Sequence, residues 1–245
     1  MPAAARNAGG RAAHSRVVAF LDDDVVAEHG WAQALLDAHR REPRAVIQGR
    51  TDPDPEELGR AGVYRRTRAV TGPDHAYPAC NIAYPRELLE RLGGFHEGFP
   101  RPSGEDTDLA WRARAAGAPT MYEDAARVRH AVYAGGLAGL IADAARWEDT
   151  VLALKRNPGL RGAYRHRVFW QESHELLLMA VAGALLARRT RGLSIALLAP
   201  YARHYAAHHR RGAGALMALP GYALADAAEM LALLRGSVRY RTFVL

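Results

Sequence analysis

The 245-residue sequence contains a single cysteine, Cys80. One thiol excludes an internal disulfide, so nothing points to an oxidising compartment. No run of about 20 apolar residues occurs, and a simple membrane-spanning helix is not expected. The opening is alanine-rich with Arg6 and Arg11, but the apolar core of a secretory signal does not follow. No nucleic-acid-binding motif is present and no basic stripe is interleaved with aromatics, so nucleic acid is not an expected partner. Internal repeats and low-complexity tracts are also missing, beyond a general alanine bias.

What is present fits a folded protein. Hydrophobic residues make up 49% and charged residues 24%, which argues against extensive disorder. The length allows one large domain or two modest ones. The net charge of +7 is unevenly placed. Residues 1–130 hold 18 Arg against 19 Asp and Glu, a balance of −1. Residues 131–245 hold 15 Lys and Arg against 7 Asp and Glu, a balance of +8. The whole basic excess lies in the second part, where it favours anionic partners such as acidic lipids or phosphorylated substrates.

The two parts also differ in pattern. Residues 16–21 (RVVAFL) form a short apolar run that ends in acid and reads as a buried strand. Residues 29–40 have a helical period, with Trp31, Leu35 and Ala38 on one face. Residues 45–49 (AVIQG) read as a second strand, and 51–55 (TDPDP) as loop because of two prolines. A short strand at 80–84 leads into a helix at 85–92, begun by proline and ended by Gly93 and Gly94. Another helix covers 105–116. Alternating strands and helices predict an α/β sheet. Beyond about residue 131 the pattern is helical: an amphipathic stretch at 137–156, then apolar stretches at 176–187 and 193–202 separated by RRTRG.

Asp22, Asp23 and Asp24 follow directly on the first strand. Adjacent carboxylates repel, and desolvation worsens this. A hard divalent cation such as Mg²⁺ or Mn²⁺ reverses it, since such ions take oxygen ligands and are often shared with substrate phosphates. The carboxyl end of a strand in an open α/β sheet is also where ligands bind. A solvated acidic turn that starts the next helix is the plainer alternative.

In context, ARNAG at residues 5–9 followed by RVVAFLDDDVVAEHGW at 16–31 resembles the middle of the family 2 glycosyltransferases of the GT-A fold. A second stretch, ACNIAYPRELLERLGGF at 79–95 with GEDTDL at 104–109, resembles the acceptor-side signature of the same family. The resemblance covers about the first 130 residues. It implies a GT-A type, Rossmann-like sheet. It also implies that Ala-Arg-Asn lies on a helix before the strand carrying the acidic DXD motif, and that Trp31 opens the helix after it. Asp22 and Asp24 then frame the DXD pair. Asp24 is the implied direct metal ligand, with Asp22 and His130 as further metal candidates. Arg6, Asn7, Asp22, Asp23 and Arg112 are implied on the donor side, and Asn81 and Glu105 on the acceptor side. Asp106 is the implied catalytic base, with Glu105 beside it. Cys80 reads as a small core residue.

The Glu-Asp pair has a physical logic. Inverting transfer needs a base to take the proton of the acceptor hydroxyl as it attacks the anomeric carbon. A carboxylate at a helix N-terminus is expected to stay ionised, favoured by the exposed N–H groups and the dipole. Ser103 with Asp106 three residues on also fits a capping box, which would make the pair structural. Arg112, on the same helix, either meets a phosphate or braces the site.

The sequence departs from the family at two places. No strand of the type VSVVIPTYN precedes Ala5, so the expectation is an N-terminally truncated sheet with an open nucleoside pocket. The Gln-x-x-Arg-Trp motif of processive synthases is absent, Arg146-Trp147 coming nearest, so transfer of a single sugar is expected rather than polymer synthesis. The expected organisation is a partial GT-A domain at 1–133 and a helical region at 134–245. The expected partners are a nucleotide-diphosphate sugar, a saccharide or lipid-linked acceptor, a divalent cation (Mn²⁺ or Mg²⁺) and an anionic membrane surface. The expected location is cytoplasmic, peripheral at the cytoplasmic face of the membrane. The competing reading is an inactive transferase fold acting as a binding or scaffold module. An unrelated metal phosphohydrolase would need regularly spaced ligands, and the eleven histidines, His204, His208 and His209 included, form no such pattern.

Overall fold

The computed structural model describes residues 2–208 and 213–245, so His209 lies outside the described residues. In chain order the helices and strands are α1 (Pro2–Ala12), β1 (Val17–Leu21), β2 (Val25–Ala27), α2 (Trp31–Arg41), β3 (Val46–Pro53), α3 (Pro55–Arg60), β4 (Asn81–Pro85), α4 (Arg86–Leu92), α5 (Glu105–Ala115) and β5 (Thr120–His130). Then follow α6 (Gly136–Ala144), α7 (Thr150–Arg156), α8 (Glu172–Leu186), α9 (Ala199–His208) and α10 (Ala213–Tyr240). The chain forms two units: Met1–Arg60 with Thr67–Tyr133 and Leu152–Leu160, and Ala61–Arg66 with Ala134–Val151 and Arg161–Leu245. Leu152–Leu160 and Ala61–Arg66 are the two segments that fall on the other side of the boundary expected at residue 133.

The first unit is built on a five-stranded sheet in the order β1-β4-β3-β5-β2. Strand β4 runs antiparallel to β1 and β3, β3 and β5 are parallel, and β2 returns antiparallel on β5. This is a mixed α/β sheet, as the alternation of strands and helices in the sequence predicts. Every residue of β4 is buried, so the strand lies inside the sheet and is covered on both faces. Successive side chains of a strand point to opposite faces. Accordingly Val46, Ile82 and Tyr84 join Val18, Phe20, Phe95 and Leu109 in one cluster. Their neighbours Ile47 and Ala83 join Leu35, Ala38 and Ala126 in another.

Residues 51–55 are not the loop that two prolines suggest. Strand β3 continues to Pro53, pairing Thr51, Asp52 and Pro53 with Val128, Arg129 and His130. Proline is tolerated at the strand's last position, where the missing N–H interrupts least. Pro55 opens α3, and the Asp54 carboxylate caps it by accepting the amides of Glu56 and Glu57 at 3.0 and 3.1 Å.

The β3–β5 register slips between Gly49 and Arg50, and Asn81 fills the irregularity. Its Nδ2 donates to the carbonyls of Arg50 and Ala126, both at 2.8 Å, and its Oδ1 accepts from Trp31 Nε1 at 2.9 Å. A Cβ on Gly49 would stand 2.3 Å from Asn81 Nδ2 and 2.6 Å from the Ala126 carbonyl oxygen.

The second unit packs α8, α9 and α10 around Leu176, Leu177, Ala180, Tyr201, Tyr205, Tyr222 and Met230. Buried Asp226 accepts from the hydroxyls of Ser173 (3.2 Å), Tyr201 (2.8 Å) and Tyr205 (2.8 Å). Burial raises its pKa, and the three donors oppose that rise. The stretch at 137–156 is not one helix: a 3-10 turn at Ala145–Asp149 separates α6 from α7. The stretch at 193–202 begins as a 3-10 turn, Leu193–Leu198, before α9.

Helix α10 bears on the expectation that no simple membrane-spanning helix occurs. Leu216–Tyr240 is 25 residues long with a mean hydropathy of 1.3, enough by length and composition to cross a membrane. An uninterrupted-run criterion misses it because Asp226, Glu229, Arg235 and Arg239 punctuate the sequence. Asp226 is 6% exposed and bound to three hydroxyls of the same unit, so this face of the helix belongs to a protein core.

Gly49→Ala is expected to destabilise the first unit by about 1–3 kcal/mol, the range for forcing extra volume into packed structure. Urea unfolding monitored by circular dichroism measures it. A midpoint equal to wild type would show that the sheet yields there freely.

Candidate active site

The site is assembled where β1, β2, β5 and α5 end or begin. Strand β1 ends at Leu21 and delivers the three aspartates into a tight turn. Strand β2 then pairs with the end of β5, with Val25 opposite His130, and the Ala131 amide donates to the Asp24 carbonyl at 2.9 Å. That pairing sets His130 beside Asp24, with Nε2 3.6 Å from Oδ2. The same Oδ2 accepts from Tyr133 OH at 2.9 Å, while Oδ1 is buried without a hydrogen-bond partner. His130 Nδ1 lies 2.8 Å from the Ala131 carbonyl. Assigning the proton to Nδ1 satisfies that contact and leaves the Nε2 lone pair directed at a carboxylate. A cation between the two groups would satisfy both Nε2 and Asp24. Among the described residues no three His, Cys, Asp or Glu side chains gather as a ready metal cage.

Asp22 turns elsewhere. It accepts from Arg6 Nη2 at 2.6 Å, and Arg6 Nη1 donates to Glu105 at 2.7 Å. One guanidinium thus joins the acidic turn after β1 to the first residue of α5, with the Phe95 ring 5.5 Å below it. Asp23 is exposed.

Helix α5 starts through Gly104 at φ 89°, a left-handed conformation that glycine adopts without strain. The residue at the N-cap is Gly104 itself, which has no side chain with which to cap the helix. The Asp106 carboxylate instead accepts the amides of Thr107 at 2.8 Å and Ala79 at 3.2 Å, facing the approach to β4. Glu105 is 3% exposed, and its Oε2 has no hydrogen-bond partner. Burial, then repulsion from Asp106, pushes the Glu105 pKa up to about 7 against the pull of Arg6. Burial also raises Asp106, opposed by its two backbone donors, Arg6 and Arg68. The sequence reading expected the helix terminus to keep the pair ionised. Desolvation exceeds the dipole here because the carboxylates lie inside the fold rather than at a solvated helix end.

Three residues expected at the ligand serve the scaffold. Asn7 Nδ2 donates to the Phe95 carbonyl at 2.9 Å and to Glu97 at 2.8 Å, and its Oδ1 accepts the Phe95 amide at 2.8 Å. Its amide group is spent on the Gly-Gly-Phe turn, not on a donor. Arg112 uses all three nitrogens on its own chain: Asp108 at 2.8 Å and the carbonyls of Leu92 and Gly94 at 2.9 and 2.7 Å. These contacts brace the Gly-Gly-Phe turn against α5. Asn81 is 1% exposed with its amide fully engaged in the sheet, so it does not face an acceptor sugar. Cys80 is buried beside Thr51, and burial pushes its thiol up to about 11, which makes it an inert core residue as expected.

Residues 1–95 match the model of the family described as Glycosyl transferase family 2. The match takes in the acidic turn after β1 and the Gly-Gly-Phe turn after α4, so this part of the chain is similar to that family. Two curated relatives, the pre-mycofactocin glycosyltransferases of Mycobacterium tuberculosis strains CDC 1551 / Oshkosh and ATCC 25618 / H37Rv, are each 33% identical over 142 residues. The match covers 53% of this chain and 30% of theirs, so the chain spans about a third of the length of the curated relatives it matches. Among solved structures, the mannosyltransferase PcManGT from Pyrobaculum calidifontis, in complex with GDP-Man and Mn²⁺, aligns with a TM-score of 0.49 at 18% identity. That alignment covers 98% of this chain and 66% of the other.

The sequence did not single out Tyr133, Asp108 or Arg68. Tyr133 is recognisable only as an aromatic three residues after His130. Asp108 is fully buried and accepts from Arg112, Arg156 (2.7 Å) and Asn157 (2.9 Å), the last two brought from residues 152–160. No local pattern announces a partner almost 50 residues away.

The raised Glu105 pKa has a stability consequence. Between about pH 4.5, its ordinary value, and about pH 7, the folded chain binds more protons than the unfolded one. Stability therefore falls as pH rises through that window and levels off above it. Glu105→Gln, which cannot ionise, is expected to lose this slope and gain on the order of 1–3 kcal/mol relative to wild type at pH 8 compared with pH 4.5. Parallel pH profiles of the two proteins in denaturant melts would overturn the assignment.

Proposed function

We propose that the chain carries the metal and acceptor side of an inverting, metal-dependent transfer of one sugar from a nucleotide-diphosphate donor to an acceptor hydroxyl. The observation that carries this reading is the Arg6 bridge. It holds a carboxylate of the acidic turn and a carboxylate of the Glu-Asp pair on one guanidinium, at 2.6 and 2.7 Å. The donor-side and acceptor-side motifs are thereby neighbours, as a direct displacement between two bound substrates requires.

In this reading Asp106 takes the acceptor hydroxyl proton as the oxygen forms its bond to the anomeric carbon. The bond from that carbon to the diphosphate oxygen breaks, and the nucleoside diphosphate leaves with the electron pair. A raised pKa makes Asp106 a stronger base than an exposed aspartate, provided it is ionised. The unpartnered Oε2 of Glu105 offers an acceptor for a second hydroxyl of the incoming saccharide. Asp24 and His130 are the residues that fit Mn²⁺ or Mg²⁺, because they present a buried bare oxygen and an imidazole nitrogen to the same space. A divalent cation there supplies charge neutralisation for the departing diphosphate. Asp22 remains the third metal candidate, and it reaches such an ion only by leaving Arg6.

The acceptor in this reading is a saccharide or a lipid-linked saccharide, and the chain works in the cytoplasm, peripherally at the cytoplasmic face of the membrane. The basic balance of residues 131–245 supports that placement. A second reading, a transferase fold retained as a binding or scaffold module, is favoured by one observation: Arg6 occupies Asp22.

Two variants separate the readings. Asp24→Ala is expected to abolish Mn²⁺-dependent binding of nucleoside diphosphates in calorimetry while the fold survives; unchanged binding removes Asp24 from the metal site. Asp106→Asn keeps shape but cannot take the proton. It is expected to lower sugar transfer by about 10²-fold or more with donor binding kept, the scale of general-base catalysis. Near-normal turnover would mean that Asp106 only anchors the approach to β4.

A further inference from the structure

The helical unit exposes apolar side chains at the tip of one rigid hairpin. One side of α8 is buried through Leu176, Leu177, Ala180 and Gly183. The other leaves Val181, Leu185 and Leu186 exposed, Leu185 at 78%. After α8 the chain turns through residues 187–192 and doubles back as the 3-10 turn Leu193–Leu198. There Leu193 is 82% and Ile195 53% exposed. Arg188, Arg189 and Arg191, between the two arms, are exposed as well.

The hairpin is tightly built, so these exposures are not those of a loose loop. A Cβ on Gly183 would stand 2.5 Å from the Ser194 carbonyl oxygen and 2.9 Å from Leu197 Cβ. Ser194 Oγ donates to the Gly183 carbonyl at 2.7 Å, and Thr190 Oγ1 lies 2.8 Å from Ser194 Oγ. Gly192, at φ 89°, makes the reversal. Small residues thus close the inner side of the hairpin, and the leucines and arginines are left on the outside.

The charge of the surrounding sequence selects the occupant. From residue 176 to 225 there is no Asp or Glu, while there are six arginines: Arg188, Arg189, Arg191, Arg203, Arg210 and Arg211. An apolar protein partner would not need this one-signed field. An anionic bilayer matches both features, with apolar side chains entering the acyl boundary and guanidinium groups at the phosphates. The sequence reading had two apolar helices lying flat. The structure narrows the contact to a tip, because half of α8 is already buried in the core.

We infer that residues 181–195 form a membrane-docking hairpin that inserts Leu185, Leu193 and Ile195 into an anionic lipid surface, with Arg188, Arg189 and Arg191 at the headgroups. The inference rests on the peripheral placement proposed above and is independent of the transfer chemistry.

Co-sedimentation of the full chain with vesicles tests it, using phosphatidylcholine alone and phosphatidylcholine with 30 mole per cent phosphatidylglycerol, roughly the anionic content that makes polybasic contacts measurable. Binding is expected only to the anionic vesicles and should weaken with salt. Reversing Arg188, Arg189 and Arg191 to Glu is expected to lower partitioning by about 100-fold or more. Leu185→Ser with Leu193→Ser should lower it by about 10-fold or more at unchanged melting temperature. No binding to either vesicle overturns the proposal. So does anionic binding that both variants leave intact, since another surface would then make the contact. A melting temperature lowered in one variant leaves the other to decide. Nucleoside diphosphate binding measured on the same variants keeps the two proposals apart: normal nucleotide binding without membrane binding removes the docking hairpin alone.

Discussion

Arg6 is the cation on which the arrangement of the site depends. Glu105 is almost fully buried, and a lone buried carboxylate would be expelled or neutralised. The guanidinium makes that burial tolerable by giving one carboxylate oxygen a charged donor, and with its second nitrogen it draws Asp22 to the same point. Breaking such a pair from one side leaves an uncompensated charge, typically at a cost of about 3–5 kcal/mol. The geometry of the acidic turn and that of the helix α5 terminus are therefore one property. Arg6 is itself held because its neighbour Asn7 clamps helix α1 to the Phe95 backbone, and Arg112 clamps the same turn to α5.

The sheet supplies the other half of the site through pairing. His130 faces Asp24 because β2, only three residues long, returns on the end of β5. Asn81 and Gly49 stabilise the slip in the β3–β5 register, after which β3 can follow β5 as far as His130. Polar groups deep in the sheet thus act on the site at a distance, by deciding where a strand ends.

Much of this was legible in the sequence, for identifiable reasons. The strand before the aspartates, the helix opened by Trp31, the Gly-Gly stop and the helix begun by Glu105 all announce themselves through apolar period or turn residues. The α/β class follows from their alternation. What was not legible depends on partners far along the chain. Asn7, Asn81 and Arg112 have the right chemistry for a ligand, and the same chemistry serves a backbone carbonyl equally well. Only the fold shows which of the two has claimed them. The pKa of Glu105 is set by burial, which the helix-terminus argument does not contain. The TDPDP segment misleads because proline bars the middle of a strand but not its end. Helix α10 hides because four charged residues, Asp226 among them, interrupt its apolar run.

The single thiol has a practical use. Cys80 sits beside the central strand of the sheet at 2% exposure, and the sequence holds no second thiol to exchange with. Its high pKa and burial keep it silent toward water-soluble thiol reagents in the native fold. Labelling must then wait for an opening that reaches β4, and the labelling rate becomes a clock for that opening. Nature has placed one chemical stopwatch beneath the floor on which both acidic motifs stand.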